Sequence, residues 1–168
     1  MMEKLEIIIL EGDKSVSNTL SLSLSNSYTI KIMQDTREGL KQIILDKPDI
    51  IIIDLNTPGI PGVKLVSKLT SIGVKAPIFI LSKDNTVKTK LEYYDLGVNE
   101  YLIKPFSLGE LKAKLNITSK RLIYLKSNPA FSIHRSSLIL NQDKMSVSRE
   151  HSKEIILRRK EYAGLLLR

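Results

Sequence analysis

The sequence predicts a doubly wound parallel α/β sheet of five βα units, followed by a small antiparallel β meander and one helix. Three observations carry that prediction. Short apolar runs recur between helically periodic segments, as at Ile7–Leu10, Ile50–Ile53 and Ile78–Leu81. Runs of this length read as strands buried on both faces of a parallel sheet. Polar residues stand directly after these runs and after Tyr101-Leu102-Ile103: Glu11, Asp54, Ser82 and Lys104. Beyond Arg121 the strand–helix alternation gives way to short alternating segments.

The first strand is expected over Leu5–Leu10, and the first helix over Lys14–Ser25 with Val16, Leu20 and Leu24 on one face and Asp13 as its cap. Strand two covers Tyr28–Met33, and helix two Thr36–Leu45 with Leu40, Ile43 and Ile44 as its stripe. Strand three ends at Asp54. A loop with Pro58, Gly59, Pro61 and Gly62 leads into helix three, Val63–Thr70. Strand four is Pro77–Ser82, and helix four, Thr86–Leu96, stops at Gly97. Strand five is Glu100–Ile103. Helix five follows Ser107, which has Glu110 three positions on, the spacing of a capping box. Residues 122–128 read as a linker or a helix extension. Ala130–His134, Ser137–Leu140, Lys144–Ser148 and Glu154–Leu157 then alternate, with Asn141-Gln142-Asp143 as a turn, and a helix begins near Arg159.

Composition bounds the function. The chain has 168 residues, 42% hydrophobic and 26% charged, as soluble globular chains do. No run of about 18 apolar residues suggests a membrane span, and the N-terminus lacks the form of a signal peptide. Zero cysteines exclude disulfides and thiolate metal sites and fit a cytoplasmic location. His134 and His151 have no ligand-like spacing and read as surface or structural residues. Residues 1–121 hold 17 Lys and Arg against 14 Asp and Glu, and residues 122–168 hold 9 against 4. The tail is therefore the more basic part. That suits a polyanion such as DNA, or reflects a lysine-rich composition bias.

Open α/β sheets bind ligands at the carboxyl ends of their strands. An acid (Glu11), an acceptor carboxylate (Asp54), a hydroxyl (Ser82) and a lysine (Lys104) on that rim make a phosphoryl-acceptor site. A carboxylate attacks phosphorus in line, and cations offset charge on the transferred oxygens. A flavin site at the same switch point is a weaker alternative, because no phosphate-cradling loop follows strand one.

Residues 3–121 resemble the receiver domain of two-component response regulators, a flavodoxin-like (βα)5 fold. The resemblance rests on Glu11, Pro48-Asp49 through Asp54, Pro58-Gly59, Gly62, Ser82, Gly97, Tyr101 and Lys104-Pro105-Phe106, in order and at receiver spacing. The tail, 129–168, resembles the start of the winged-helix effector domain of the OmpR/PhoB type. The entry to its first helix matches at Ile156 through Tyr162, and the chain ends before the recognition helix.

The resemblance implies a transcription regulator that is not itself an enzyme. Asp54 would take a phosphoryl group from a sensor histidine kinase. Mg²⁺ would sit on Glu11, Asp54 and the Asn56 carbonyl. Ser82 and Lys104 would contact the phosphoryl oxygens, Lys104 through a cis bond to Pro105, and Tyr101 would change rotamer as the readout. Homodimers would form through helix four, strand five and helix five, with Val87 and Tyr94 as apolar surface and Lys90–Glu110 and Glu100–Lys114 as cross-subunit pairs. A third pair is lost, because Asp95 faces Asn116.

Two departures stand out. Gly12 replaces the second acid usual after strand one, and Asp13, one position late, points elsewhere. Lys83 replaces a small residue, and its ammonium either reaches the pocket or points to solvent. The pocket is therefore expected to be nearly neutral, and Mg²⁺ binding weak or absent. Two functions follow: a response regulator with a degenerate pocket that binds DNA only if the winged helix is completed, or a phosphorylation-independent receiver acting as a dimerisation module.

Overall fold

A computed structural model describes residues 3–129 and the strand backbones 138–141, 146–149 and 155–156. It divides into two compact units, Met1–Lys120 and Arg121–Arg168. The first unit is built on a parallel sheet of β1 (Glu6–Leu10), β2 (Thr29–Met33), β3 (Ile50–Asp54), β4 (Ile78–Ser82) and β5 (Glu100–Ile103), in the order β2-β1-β3-β4-β5. Register sets Ile9 beside Ile52, and Asp54 beside Leu81. Every residue of β3 and β4 is buried, whereas the edge strand β2 is only partly covered. That difference explains why the central strands read as unbroken apolar runs. The order reverses between β1 and β3, the switch point where such sheets open a ligand crevice.

The helices are α1 (Lys14–Leu24), α2 (Thr36–Asp46), α3 (Gly62–Ser71), α4 (Val87–Asp95) and α5 (Leu108–Ser127). Asp13 caps α1, its Oδ1 accepting from the N–H groups of Ser15 and Val16 at 2.8 and 3.2 Å. Asp35 caps α2 in the same way, a role the sequence reading did not assign. Ser107 Oγ accepts from Glu110 N at 3.0 Å at the start of α5. Gly97 follows α4 at φ +99°, a left-handed conformation that suits glycine. One continuous core joins the sheet to α2, α3 and α4 through Ile8, Ile43, Ile51, Leu65, Leu69, Ile80 and Tyr93.

Boundaries differ from expectation in small ways. Strands β1, β2 and β4 begin one residue later than read, at Glu6, Thr29 and Ile78. Pro77 has no N–H for the ladder, although its carbonyl accepts from Ile51 N at 2.9 Å. Helix α5 runs to Ser127, so 122–127 is helix extension rather than linker.

The second unit contains three antiparallel strands, β6 (Leu138–Asn141), β7 (Ser146–Arg149) and β8 (Ile155–Ile156). They overlap three of the four strands expected there. The segment Ala130–His134 and the helix expected from Arg159 lie outside the described residues.

Candidate phosphoryl-acceptor site

Asp54, the last residue of β3, is 1% exposed. Its Oδ1 accepts from Asn56 N at 2.8 Å, and its Oδ2 is taken by the Lys104 ammonium. A carboxylate this deep costs several kcal/mol in desolvation unless paired, and Lys104 supplies the pair. Lys104 follows β5, donates its own N–H to the Ser82 carbonyl at 2.7 Å, and is joined to Pro105 by a cis peptide bond.

Glu11, after β1, is also buried. Its Oε1 accepts from Asp13 N at 2.9 Å. Among the described residues, its Oε2 is the one buried side-chain polar atom without a hydrogen bond, and it lies 4.0 Å from Lys104 Nζ. A single lysine therefore serves two carboxylates and hydrogen-bonds only one of them.

The orphaned oxygen of Glu11 beside Asp54 fits a hard divalent cation, to which the Asn56 carbonyl would be a third donor. Position 12 adds nothing to that set. A Cβ on Gly12 would stand 2.8 Å from Pro58 Cδ, so the loop crowds the space where a second acid would begin. Among the described residues no group of three acids or histidines gathers around one point. Asp13 lines the same crevice but spends its Oδ1 on capping α1.

Pro58 owes its place to the neighbouring loop. The Thr36 hydroxyl accepts from Ile60 N and donates toward the carbonyls of Ile60 (3.0 Å) and Pro58 (3.2 Å), while Thr36 N donates to Pro58 O at 2.8 Å. Thr57 Oγ1 donates to Leu10 O at 3.0 Å. Neither threonine was singled out from sequence. The crevice above Asp54, about 860 Å³, is lined by Glu11, Gly12, Asn56, Pro58, Lys104 and Phe106, with the exposed Lys83 at its rim.

On the β4 side, Ser82 Oγ accepts from Asp84 N at 3.0 Å. Tyr101, 7% exposed, donates its hydroxyl to the Asp84 carbonyl at 2.9 Å. Burial pushes the Tyr101 phenol above its ordinary pKa, opposed by Ser82 beside it and aided by Asp84. Asp84 itself is held below the usual carboxylate range by the N–H of Thr86 and the hydroxyl of Thr89.

The face formed by α4, β5 and α5 is apolar and charged together. Val87, Leu91 and Tyr94 are exposed at helical spacing, and Ile117 stands exposed on α5. Leu91 and Ile117 were missed from sequence. Glu100 and Lys114 meet within one chain at 3.1 Å, and this bond raises the lysine's pKa. Glu100 and Lys114 thus already pair within the chain.

Residues 7–116 match the response regulator receiver domain family. Similar curated proteins include the response regulator MprA of Mycolicibacterium vanbaalenii, 34% identical over 68% of this chain and 50% of that protein. MprA of Mycobacterium ulcerans is 32% identical over 95% of this chain and 69% of that protein. The chain thus spans half to about two thirds of these relatives. Among solved structures, the receiver domain of the Francisella response regulator 1452 is 28% identical with a TM-score of 0.67, covering 70% of this chain and 98% of that one.

Proposed function

Given that this chain belongs to the response regulator receiver family of two-component signalling proteins, we propose that Asp54 accepts a phosphoryl group from a sensor histidine kinase. The output of that step would be control of transcription. The observation that carries the proposal is Asp54 itself, buried at the sheet's switch point with Lys104 held on its Oδ2. Asp54 would attack phosphorus in line, forming an O–P bond as the N–P bond of the kinase's phosphohistidine breaks and the free imidazole leaves. Lys104 would move from the carboxylate to a phosphoryl oxygen, and Ser82 would turn its hydroxyl toward another.

Mg²⁺, when bound, offsets charge on the transferred oxygens. Glu11, Asp54 and the Asn56 carbonyl would hold it. With Gly12 in place of a second acid, that hold is weak.

Intact-mass spectrometry after incubation with acetyl phosphate tests the proposal. One phosphoryl group is expected on the wild type and none on Asp54→Asn. No mass gain by the wild type at saturating Mg²⁺ would overturn it.

The tail supports a DNA-binding output. Its nine basic against four acidic residues suit phosphate contacts, and the similarity to the M. ulcerans regulator runs through it. It fits the opening of an OmpR/PhoB-type winged helix. The exposed Val87–Leu91–Tyr94 stripe supports a second role, as a homodimerising receiver that works without phosphorylation. A cytoplasmic location fits both. Among the described residues no helix is long and apolar enough to cross a membrane.

A further inference from the structure

The wall between the acceptor loop and Tyr101 contains a second buried tyrosine. Tyr93, on α4, is 5% exposed. Its ring centroid lies 5.8 Å from that of Tyr101 with a 48° tilt, within the range over which aromatic rings attract each other. Its hydroxyl end lies over Gly62, the first residue of α3. A Cβ on Gly62 would run into the Tyr93 hydroxyl and the Leu55 side chain. Leu55 directly follows Asp54. One ring therefore fills the space between the end of the acceptor loop and the strand that carries Tyr101. Burial pushes the Tyr93 phenol up to about 12, with Tyr101 the next contributor. Tyr101 is buried and bonded to the Asp84 carbonyl.

We propose that Tyr93 is a positioning residue that holds Tyr101 in its buried rotamer. If Tyr101 swung outward, the side of the Tyr93 ring would lose its packing partner, and voids of that kind are costly. Tyr93 cannot shift across to fill the gap without losing its seat over Gly62. The proposal rests on Tyr101 being the switch.

Nitration of tyrosines by tetranitromethane, located by peptide mass spectrometry and run without phosphoryl donor, reads this directly. A lost protection of Tyr101 therefore fails separately from a failure of phosphoryl transfer to Asp54. The comparison takes wild type, Tyr93→Phe, Tyr93→Leu and Tyr93→Ala. Tyr94, 42% exposed, is the accessible reference. Tyr28, 9% exposed and bonded to Ser119 Oγ at 2.9 Å, is the folded reference away from the site.

Tyr101 is expected to react about tenfold more slowly than Tyr94 in the wild type and in Tyr93→Phe, the ratio given by a rotamer preference of about 1.4 kcal/mol. Its protection should fall in Tyr93→Leu and be lost in Tyr93→Ala, with Tyr28 protected throughout. Two results overturn the proposal. In one, Tyr101 stays protected in Tyr93→Ala. In the other, Tyr101 and Tyr28 lose protection together in every variant, Tyr93→Leu included, which would make Tyr93 a general core residue.

Discussion

The two halves of the pocket are built differently. On the β3–β5 side, each polar group meets a partner from the chain: Asp54 with Asn56 and Lys104, Ser82 with Asp84, Tyr101 with the Asp84 carbonyl. On the β1 side, Glu11 keeps one buried oxygen without a hydrogen bond, and Gly12 offers no side chain. The first half is complete without any ligand. The second leaves a carboxylate oxygen that has an ion-pair partner in Lys104 at 4.0 Å but no hydrogen bond. On the proposed reading, chemistry that needs the acceptor and the lysine would be kept, while chemistry that needs a tightly held metal would be weakened.

Removing the shared cation is the strongest way to break that contrast. Lys104→Met leaves two buried carboxylates unpaired, and breaking buried pairs of this kind costs about 3–5 kcal/mol. Glu11→Gln removes a charge that is poorly satisfied already, so its cost is expected to stay below about 1 kcal/mol. Urea midpoints of the two variants provide the check. Equal losses would mean that the halves are not distinct.

Restoring the acid on the β1 side sharpens the contrast. Gly12→Asp is expected to tighten Mg²⁺ by about 1.5–3 kcal/mol, the scale of one charged partner. Part of that gain is lost in moving Pro58, whose Cδ stands 2.8 Å from the new Cβ. Lys83→Ala should add a smaller gain, because that ammonium is exposed at the rim. Mg²⁺-dependent melting shifts would show both effects, and a micromolar wild-type affinity would erase the difference between the halves.

The aromatic wall of the complete half carries its own pH signature. Tyr93 has a folded pKa of about 12 against an ordinary 10. Its neutral form is favoured by folding, so its contribution is fully present below pH 10 and is lost as pH rises through about 12. By pH 11 the loss is roughly 1 kcal/mol. Urea titrations at pH 9 and 11 should show a larger loss in the wild type than in Tyr93→Phe, where the buried Tyr101 phenol still contributes.

The smallest effect lies on the α4–β5–α5 face. A rim pair such as the one expected between Lys90 and Glu110 would contribute about 0–1 kcal/mol. Lys90→Glu should make a homodimer slightly weaker and less salt-sensitive, whereas Leu91→Glu should abolish it. Sedimentation at two salt concentrations distinguishes them, and a strict wild-type monomer at low salt would remove this face from consideration.

The sequence made the complete half legible because its signals are local. An apolar run ending in an acid marks both the buried strand and its exit, and Asp13 and Ser107 announce the helices they cap. Asp54, Ser82 and Lys104 could be named from such patterns, and Tyr101 only from the family resemblance. Thr36, Tyr93 and Leu91 could not. Thr36 matters through a loop 22 to 24 positions away, and Tyr93 through Gly62 and Tyr101 on other elements. On its own helix Tyr93 reads as an ordinary apolar position. The Glu100–Lys114 contact was foreseen as a pair between subunits, and the two side chains already meet within one chain.

The Thr36 knot bears on how this loop breathes. Loop amides generally exchange with solvent quickly, since little must open to release them. The amides of Thr36 and Ile60 are bonded to a buried threonine hydroxyl or to the carbonyl opposite. Their deuterium uptake should therefore follow that of the sheet interior. A segment without regular secondary structure would then open only with the core, and the floor of the crevice would be as rigid as the strands that end at it.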